Sequence, residues 1–261
     1  MRKSSWLFTF VIGVMSFFSL TSTTYGAEST ANTAKGVVEF VPNSDPTNPV
    51  DPENPDPNKP VQPIDPTNPG GKPNEGTAGP LSIDYASSFD FGKNKISNQD
   101  QIYYANAQRY SDGHSDTANY VQVTDNRGNN AGWQLTVKQT NQLTATSPTL
   151  NKILTGAQIT IEESHVASVA KSKAPVAAAK ITLNPSGSES MVMSAKVESG
   201  SGTWVDYWGK VEKTTVSNEN NQKEAVNITK AVSLSVPGIT PKDAVKYQTN
   251  LIWTLSDTPA N

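Results

Sequence analysis

The sequence has 261 residues, a formal net charge of -3, 35% hydrophobic residues and no cysteine. This length fits one domain with appended segments, and the lack of cysteine excludes disulfides, thiol catalysis and cysteine-based zinc sites. Because the chain is mildly acidic and has no basic stripe interleaved with aromatic residues, nucleic acid is not expected as a partner.

The first residues have the layout of a secretory signal peptide. The apolar run Trp6–Leu20 follows a basic start and precedes small residues that end near Ala27. The run is shorter than the roughly 20 residues that a membrane-spanning helix needs. The sequence therefore predicts a signal peptide over residues 1–27, cleaved at Gly26 or Ala27, and a secreted chain without stable membrane insertion.

Residues 42–80 are rich in proline and aspartate. Proline fixes φ and removes an N–H donor, so this tract is predicted to stay out of sheets as a disordered, extended spacer. A docking site for a proline-recognising partner is the alternative. Ahead of the tract, residues 28–41 contain Gly36–Val41, which predict a short strand at an edge of the domain. The repeats are DPTNP, DPENP, DPNKP and DPTNP, starting at Asp45, Asp51, Asp56 and Asp65.

Residues 81–261 predict an all-β domain. Short alternating runs are separated by Gly, Pro, Asn and Ser, and no window predicts a long amphipathic helix. The expected fold class is an antiparallel β-sandwich or a jelly-roll-like barrel with long loops. The runs begin at Leu81 and continue at Ala157–Glu163, Val176–Leu183, Met191–Val197, Ala231–Val236 and Val245–Leu255.

The central stretch of the domain predicts a β-hairpin. Two alternating runs, Tyr120–Thr124 and Trp133–Val137, flank the turn-rich segment Asp125–Asn130. In the second run every other residue is apolar, so one face of that strand is predicted to enter the core.

A Trp-x-Leu pattern occurs twice, at Trp133–Leu135 and at Trp253–Leu255, with VTDNRG before the first and LSDTP after the second. This pair resembles the WxL-domain surface proteins of Gram-positive bacteria, over nearly the whole mature chain. The resemblance implies non-covalent retention on the cell wall by peptidoglycan binding. No LPxTG-like sorting sequence is found, so covalent attachment by sortase is not expected.

The resemblance also implies an alternative. A small member with only this domain can be a subunit of a surface complex that a WxL-interacting protein holds on the wall. Other surface proteins and host extracellular matrix are the partners expected in that case.

Two interpretations of the motif residues Trp133, Leu135, Trp253 and Leu255 stay open. Alternation with Gln and Thr favours burial, which would make both tryptophans core residues that stabilise the fold. In the other interpretation, the indole rings line a groove and stack on sugars.

Trp204, Tyr207 and Trp208 lie between glycines, and this spacing predicts an exposed loop that serves as a ligand or partner surface. Under that interpretation, alanine at Trp204 or Trp208 abolishes retention and leaves stability unchanged. A loop that folds back to plug one end of the core is the alternative.

The segment Asp125–Gly128 has turn chemistry, which favours a structural role. If the two Trp-x-Leu strands are neighbours, Arg127 is in a position to clamp a carboxylate, either Asp257 or one from a peptidoglycan stem peptide. Asp125, Arg127 and Asp257 are therefore candidates for the binding surface.

No catalytic constellation emerges. His114 and His165 lie outside any metal-binding or nucleophile motif, and the adjacent Glu162 and Glu163 point to opposite sides of a strand. The chain is expected to be no enzyme and to need neither a cofactor nor a metal.

Overall fold

The computed structural model describes Gly26, residues 30–217 and residues 222–258. The chain divides into two units, Met1–Glu39 and Phe40–Asn261, and all described strands belong to the second.

The predicted signal peptide, residues 1–27, lies outside the described residues apart from Gly26. In the described part of the chain, no helix has the length and apolar character required to cross a membrane.

Fifteen strands and one short 3-10 turn at Pro69–Gly71 make up the regular structure of the described residues. The all-β fold class is confirmed. The strands are β1 (Leu81–Ala86), β2 (Gln101–Asn106), β3 (Tyr120–Asp125), β4 (Trp133–Gln139), β5 (Thr144–Ala145), β6 (Gln158–Glu162), β7 (Ser164–Ala167), β8 (Val176–Ala177), β9 (Lys180–Thr182), β10 (Ser190–Ala195), β11 (Gly202–Trp208), β12 (Val211–Ser217), β13 (Lys223–Val236), β14 (Tyr247–Gln248) and β15 (Leu251–Ser256).

The strands form three large antiparallel sheets. Sheet 1 has the order β1-β3-β11-β7, and sheet 2 has the order β15-β4-β10-β8. Sheet 3 has the order β12-β13-β6-β9, with β2 also paired to β13, and β14 pairs with β5. Among the described strands no sheet closes on itself. Of the two expected fold classes, the fold is therefore a sandwich and not a closed barrel.

The predicted hairpin is wrong. β3 lies between β1 and β11 in sheet 1, whereas β4 lies between β10 and β15 in sheet 2. The connection carries the chain from one sheet to the other, and at its end Gly132 has φ +78° against the backbone of Lys196. Asp125 and Gly128 do have turn geometry, since the Arg127 N–H donates to Asp125 Oδ1 at 3.1 Å and Gly128 has φ +71°. The apolar faces of β3 and β4, however, meet across the core instead of lying side by side.

The main core lies between the sheets. Trp133, Leu135 and Val137 of β4 are fully buried, as their alternation predicts, and belong to the same cluster as Val121 and Val123 of β3. Each strand thus contributes alternate residues to one shared interior.

The two Trp-x-Leu strands are neighbours. β15 pairs antiparallel with β4, with Leu255 opposite Leu135 and Trp253 opposite Val137. Because β15 is the edge strand of sheet 2, Trp253 and Leu255 are only partly buried and pack at the margin of the core.

The predicted linker, residues 42–80, packs against the domain, so the prediction of a free spacer is wrong for this part. Its residues 43–67, here called the strap, cover the face of sheet 1 that points away from the main core. Val50 and Val61 of the strap are 1% and 7% exposed. The same apolar cluster contains Tyr85, Tyr110, Tyr120 and Val205.

Hydrogen bonds fix the strap in register. The Val50 N–H donates to Gln122 Oε1 at 2.9 Å, and Gln122 Nε2 donates to the Asn48 carbonyl at 3.0 Å. The Ile64 N–H donates to the Arg109 carbonyl at 2.8 Å. Because Gln122 is fully buried, losing the strap would remove two hydrogen bonds from a buried amide.

The repeats of the strap form tight turns instead of an extended helix. Asp51, Asp56 and Asp65 each accept a hydrogen bond from the N–H two residues further on. This side-chain turn chemistry bends the chain at each repeat and brings apolar residues back to the sheet.

We expect Val50→Asp to destabilise the domain by about 2 kcal/mol or more, since it places a charge among buried rings. The midpoint of urea unfolding measures this loss. The matched control is Val197→Asp, whose valine is 62% exposed in a turn and is expected to change stability little. Wild-type stability of the Val50→Asp variant would restore the free-spacer interpretation.

The predicted strand at Gly36–Val41 is not formed, and these residues belong to none of the strands. Their side chains are exposed, and none of the described strands pairs with them.

Candidate functional site

A large cleft, about 2140 Å³ in volume, opens between sheet 3 and the edge of sheet 2. This volume exceeds the roughly 300–1,000 Å³ of pockets that enclose small molecules, so the cleft has room for a polymer segment. Its aromatic lining includes Phe89, Phe91, Tyr103, Tyr104, Tyr247 and Trp253. Its charged lining includes Asp90, Lys242, Lys246 and Glu224.

Trp253 is the motif residue that reaches this cleft. Its indole stacks on Trp208, with ring centroids 6.0 Å apart and an interplanar angle of 17°. Phe89 in turn meets Trp208 edge-on at 5.9 Å. Trp208 is 1% exposed, so a buried ring supports one side of Trp253 while the rest of that indole contributes to the cleft wall.

Trp133, the other motif tryptophan, is a core residue. It is fully buried, and its Nε1 donates to the Gly200 carbonyl at 3.0 Å. Gly200 has φ +78°, and a Cβ there would lie 2.6 Å from that nitrogen. The two Trp-x-Leu motifs therefore differ, because the first lies inside the sandwich and the second at its margin.

The predicted loop around Trp204, Tyr207 and Trp208 is wrong, since these residues lie on β11 in the middle of sheet 1. Trp204 and Trp208 are 5% and 1% exposed and face the main core, so the predicted exposed surface does not exist there. Tyr207 points to the opposite face and stacks on His165 at 5.1 Å. The flanking glycines, at φ +90° and +68°, end the strand and do not indicate a loop.

Arg127 clamps a carboxylate of its own turn. Its Nε and Nη2 donate to the two oxygens of Asp125 at 2.9 and 2.8 Å, and Nη2 also donates to the Gly132 carbonyl at 2.7 Å. The hydrogen bonds that Arg127 donates to Asp125 are the main reason that the pKa of Arg127 is raised, and Asp257 adds a weaker electrostatic contribution. Arg127 therefore pairs with Asp125 instead of the predicted Asp257. This pair stabilises the turn that connects sheet 1 to sheet 2.

Asp206 is a buried carboxyl that the sequence patterns did not indicate. It lies between Trp204 and Trp208 on the core face of β11 and is fully buried. The Ser164 hydroxyl and Trp208 Nε1 donate to it. Burial raises the pKa of Asp206 to about 7, while these hydrogen bonds act in the opposite direction. The strict alternation Trp-x-Asp-x-Trp was the signal that could have placed it inward.

The two histidines lie on the outer side of sheet 1, away from the main core. Ser164 and His165 are adjacent on β7, so they point to opposite faces, and His165 does not join the Ser164–Asp206 pair. His114 Nε2 lies 3.3 Å from Asp51 of the strap. Neither histidine orients a nucleophile in these contacts.

Because the carboxyl of Asp206 is buried, we expect the stability of the domain to depend on pH. Its folded pKa of about 7 exceeds the ordinary 3.8, so the folded state binds the proton more tightly and stability falls as the pH rises from about 4 to about 7. At 1.36 kcal/mol for each pKa unit, the loss is on the order of 4 kcal/mol.

The matched variant is Asp206→Asn, which keeps the shape and still accepts hydrogen bonds. Its free energy of unfolding should lack this fall, so the difference between wild type and variant should change across the window. The pKa of Asp84 is also raised, but that carboxyl is present in both proteins and cancels in the difference. Parallel pH profiles would contradict the assignment.

A family model described as "WxL domain surface cell wall-binding" matches residues 27–259, nearly the whole chain. Comparison with curated proteins and with solved structures gives no match.

Proposed function

Because the chain belongs to the family of WxL surface cell wall-binding domains, we propose that it is held non-covalently on the Gram-positive cell wall by direct binding of peptidoglycan. The family itself indicates a place at the cell surface and binding to the wall. In this proposal the domain binds, does not catalyse, and uses no cofactor.

The position of Trp253 is the observation that carries the proposal. This motif residue lies on the wall of a cleft of about 2140 Å³, and a buried tryptophan fixes the orientation of its ring. A rigid indole offers a large apolar surface at low cost in side-chain entropy, which suits stacking against the apolar face of a sugar ring. A cleft of this volume beside such a ring fits a glycan strand better than a small molecule.

The charged lining supports the same ligand. Lys246 is an exposed residue of the cleft, and Lys242 also lines it, with Nζ donating to the Ser97 carbonyl at 2.9 Å. Peptidoglycan stem peptides carry carboxylates, for which lysines are suitable partners. The cleft thus combines aromatic residues with lysines in its lining.

Sedimentation with purified wall tests direct binding. The chain from residue 28 onward, which keeps the strap, is mixed with sacculi stripped of protein and then centrifuged. We expect the protein in the pellet and its release by soluble glycan fragments. Protein that stays in the supernatant, while a known wall-binding module sediments, would contradict the proposal.

The second candidate function is a subunit held on the wall by a WxL-interacting protein and contributing to adhesion to host molecules. It is favoured by the exposed apolar segment near the N-terminus, where Val37 and Phe40 are 91% and 88% exposed. Retention by native walls but not by stripped sacculi would support this candidate, since only native walls keep the partner protein.

A further inference from the structure

Residues 36–41 form a mainly apolar segment whose valine and phenylalanine side chains are exposed in the described structure. Val37, Val38, Phe40 and Val41 are 91%, 74%, 88% and 78% exposed. Valine and phenylalanine favour strands, and no proline interrupts the segment before Pro42. An extended apolar stretch of this kind is a typical donor for strand addition to a sheet edge.

The domain also offers a sheet edge with room beside it. β15 pairs with β4 on one side only, and it is the edge strand of sheet 2 among the described strands. It has six residues, the same length as residues 36–41, and spans about 20 Å. Ile252 is 43% exposed, and the first three residues of the strand, Leu251 to Trp253, line the cleft.

Other described edges fit less well. β7, β8 and β9 have four, two and three residues. The outer edge of β1 is already occupied, because the Thr77 N–H donates to the Ile83 carbonyl. β12 carries the Glu212–Lys230 ion pair at 2.7 Å, and edge charges disfavour strand addition.

The edge strand β2 also lines the cleft, but part of its outer side is taken. The Asn106 N–H donates to the Asp90 carbonyl at 2.8 Å, and Asn106 Nδ2 donates to the Asp90 carboxylate at 3.0 Å. β15 is therefore the edge that combines sufficient length, a free side and no charged residue.

We propose that residues 36–41 of one copy add as a strand to the free edge of β15 in a second copy. Alternate residues of a strand point to opposite faces, so Val38 and Phe40 point to the cleft beside Trp253, with Val37, Glu39 and Val41 on the wetter face near Ile252. This places Val38 and Phe40 against apolar surface and leaves the Glu39 carboxylate in water.

The second copy is the occupant because every chain carries both surfaces. The donor leaves from a fixed point, since the Asn43 N–H donates to the Asn126 carbonyl at 3.3 Å. A donor strand that adds to the edge strand of another copy gives head-to-tail association. A six-residue strand buries less than the roughly 1,200 Å² of stable interfaces, so this association is reversible and depends on concentration.

Light scattering of the chain from residue 28 onward, without any wall material, tests the inference. We expect the mean mass to rise with concentration. The donor variant Val38→Asp/Phe40→Asp and the edge variant Ile252→Lys should each stay monomeric. Ile102→Lys on β2, whose side chain is 60% exposed in the same cleft, is the matched control and should still associate.

Mixing the donor variant with the edge variant distinguishes strand addition from non-specific association. One protein keeps an intact edge and the other keeps an intact donor, so the mixture should form a one-to-one dimer that neither forms alone. A monomeric wild type at every concentration, an unaffected donor variant, or a mixture that stays monomeric would overturn the inference. Because no wall is present, the result does not depend on the proposed peptidoglycan binding.

Discussion

Replacing Trp133 with alanine is expected to destabilise the domain by about 3–5 kcal/mol, through the lost burial of the ring and the cavity that remains. The side chain is fully buried in the main core. Its removal also leaves the Gly200 carbonyl without the hydrogen bond that Trp133 Nε1 donates. The loss is a large part of a total stability of roughly 5–15 kcal/mol. Urea unfolding followed by circular dichroism measures it.

Trp133→Phe is the matched control, because it keeps most of the apolar volume and removes the indole N–H. We expect it to cost less than the alanine variant, with about 1 kcal/mol from the lost hydrogen bond. Trp208→Ala should resemble Trp133→Ala, since Trp208 is 1% exposed. Native-like unfolding of Trp133→Ala would remove the first motif from the core.

Local periodicity was enough to predict the strands of the core. Trp133, Leu135 and Val137 alternate with polar residues, and this pattern depends only on the geometry of an extended chain. The fold class and the inward face of β4 follow directly from it.

Patterns that depend on distant partners were read wrongly. Pro- and Asp-rich composition predicts a spacer because proline cannot join a ladder, yet the strap is fixed by Gln122, which lies 72 residues from Val50 in sequence. Nothing near the repeats indicates that partner. For the same reason, the glycines around β11 suggested a loop, although the burial of Trp204 and Trp208 is set by the opposing sheet.

The candidate site could be predicted only in part. The sequence indicated that Trp253 was important, but the alternation that buries Trp133 applies equally to both motifs. What separates them is the sheet order, in which β15 is at the edge and β4 is inside. The cleft itself is formed by strands and loops that are far apart in sequence, so no local pattern reveals it.

Trp253→Leu is expected to weaken wall binding at least about tenfold and to leave the fold intact, because leucine keeps apolar contact with Trp208 and removes the flat stacking surface. Stability should fall modestly, since Trp253 is only partly buried at the margin of the core. Trp133 is thus a core residue of the sandwich, whereas Trp253 is the residue that contacts the ligand in the proposed mode of binding.

Sedimentation of wild type and Trp253→Leu with stripped sacculi, alongside a thermal melt of each, is the most direct measurement of wall binding through the cleft. Tyr104→Leu, at a 36% exposed aromatic residue on the sheet 3 side of the cleft, is the matched control for loss of a ring. We predict a folded Trp253→Leu protein that stays largely in the supernatant while wild type and the control sediment. Equal sedimentation of a folded Trp253→Leu variant and wild type would contradict binding at this site.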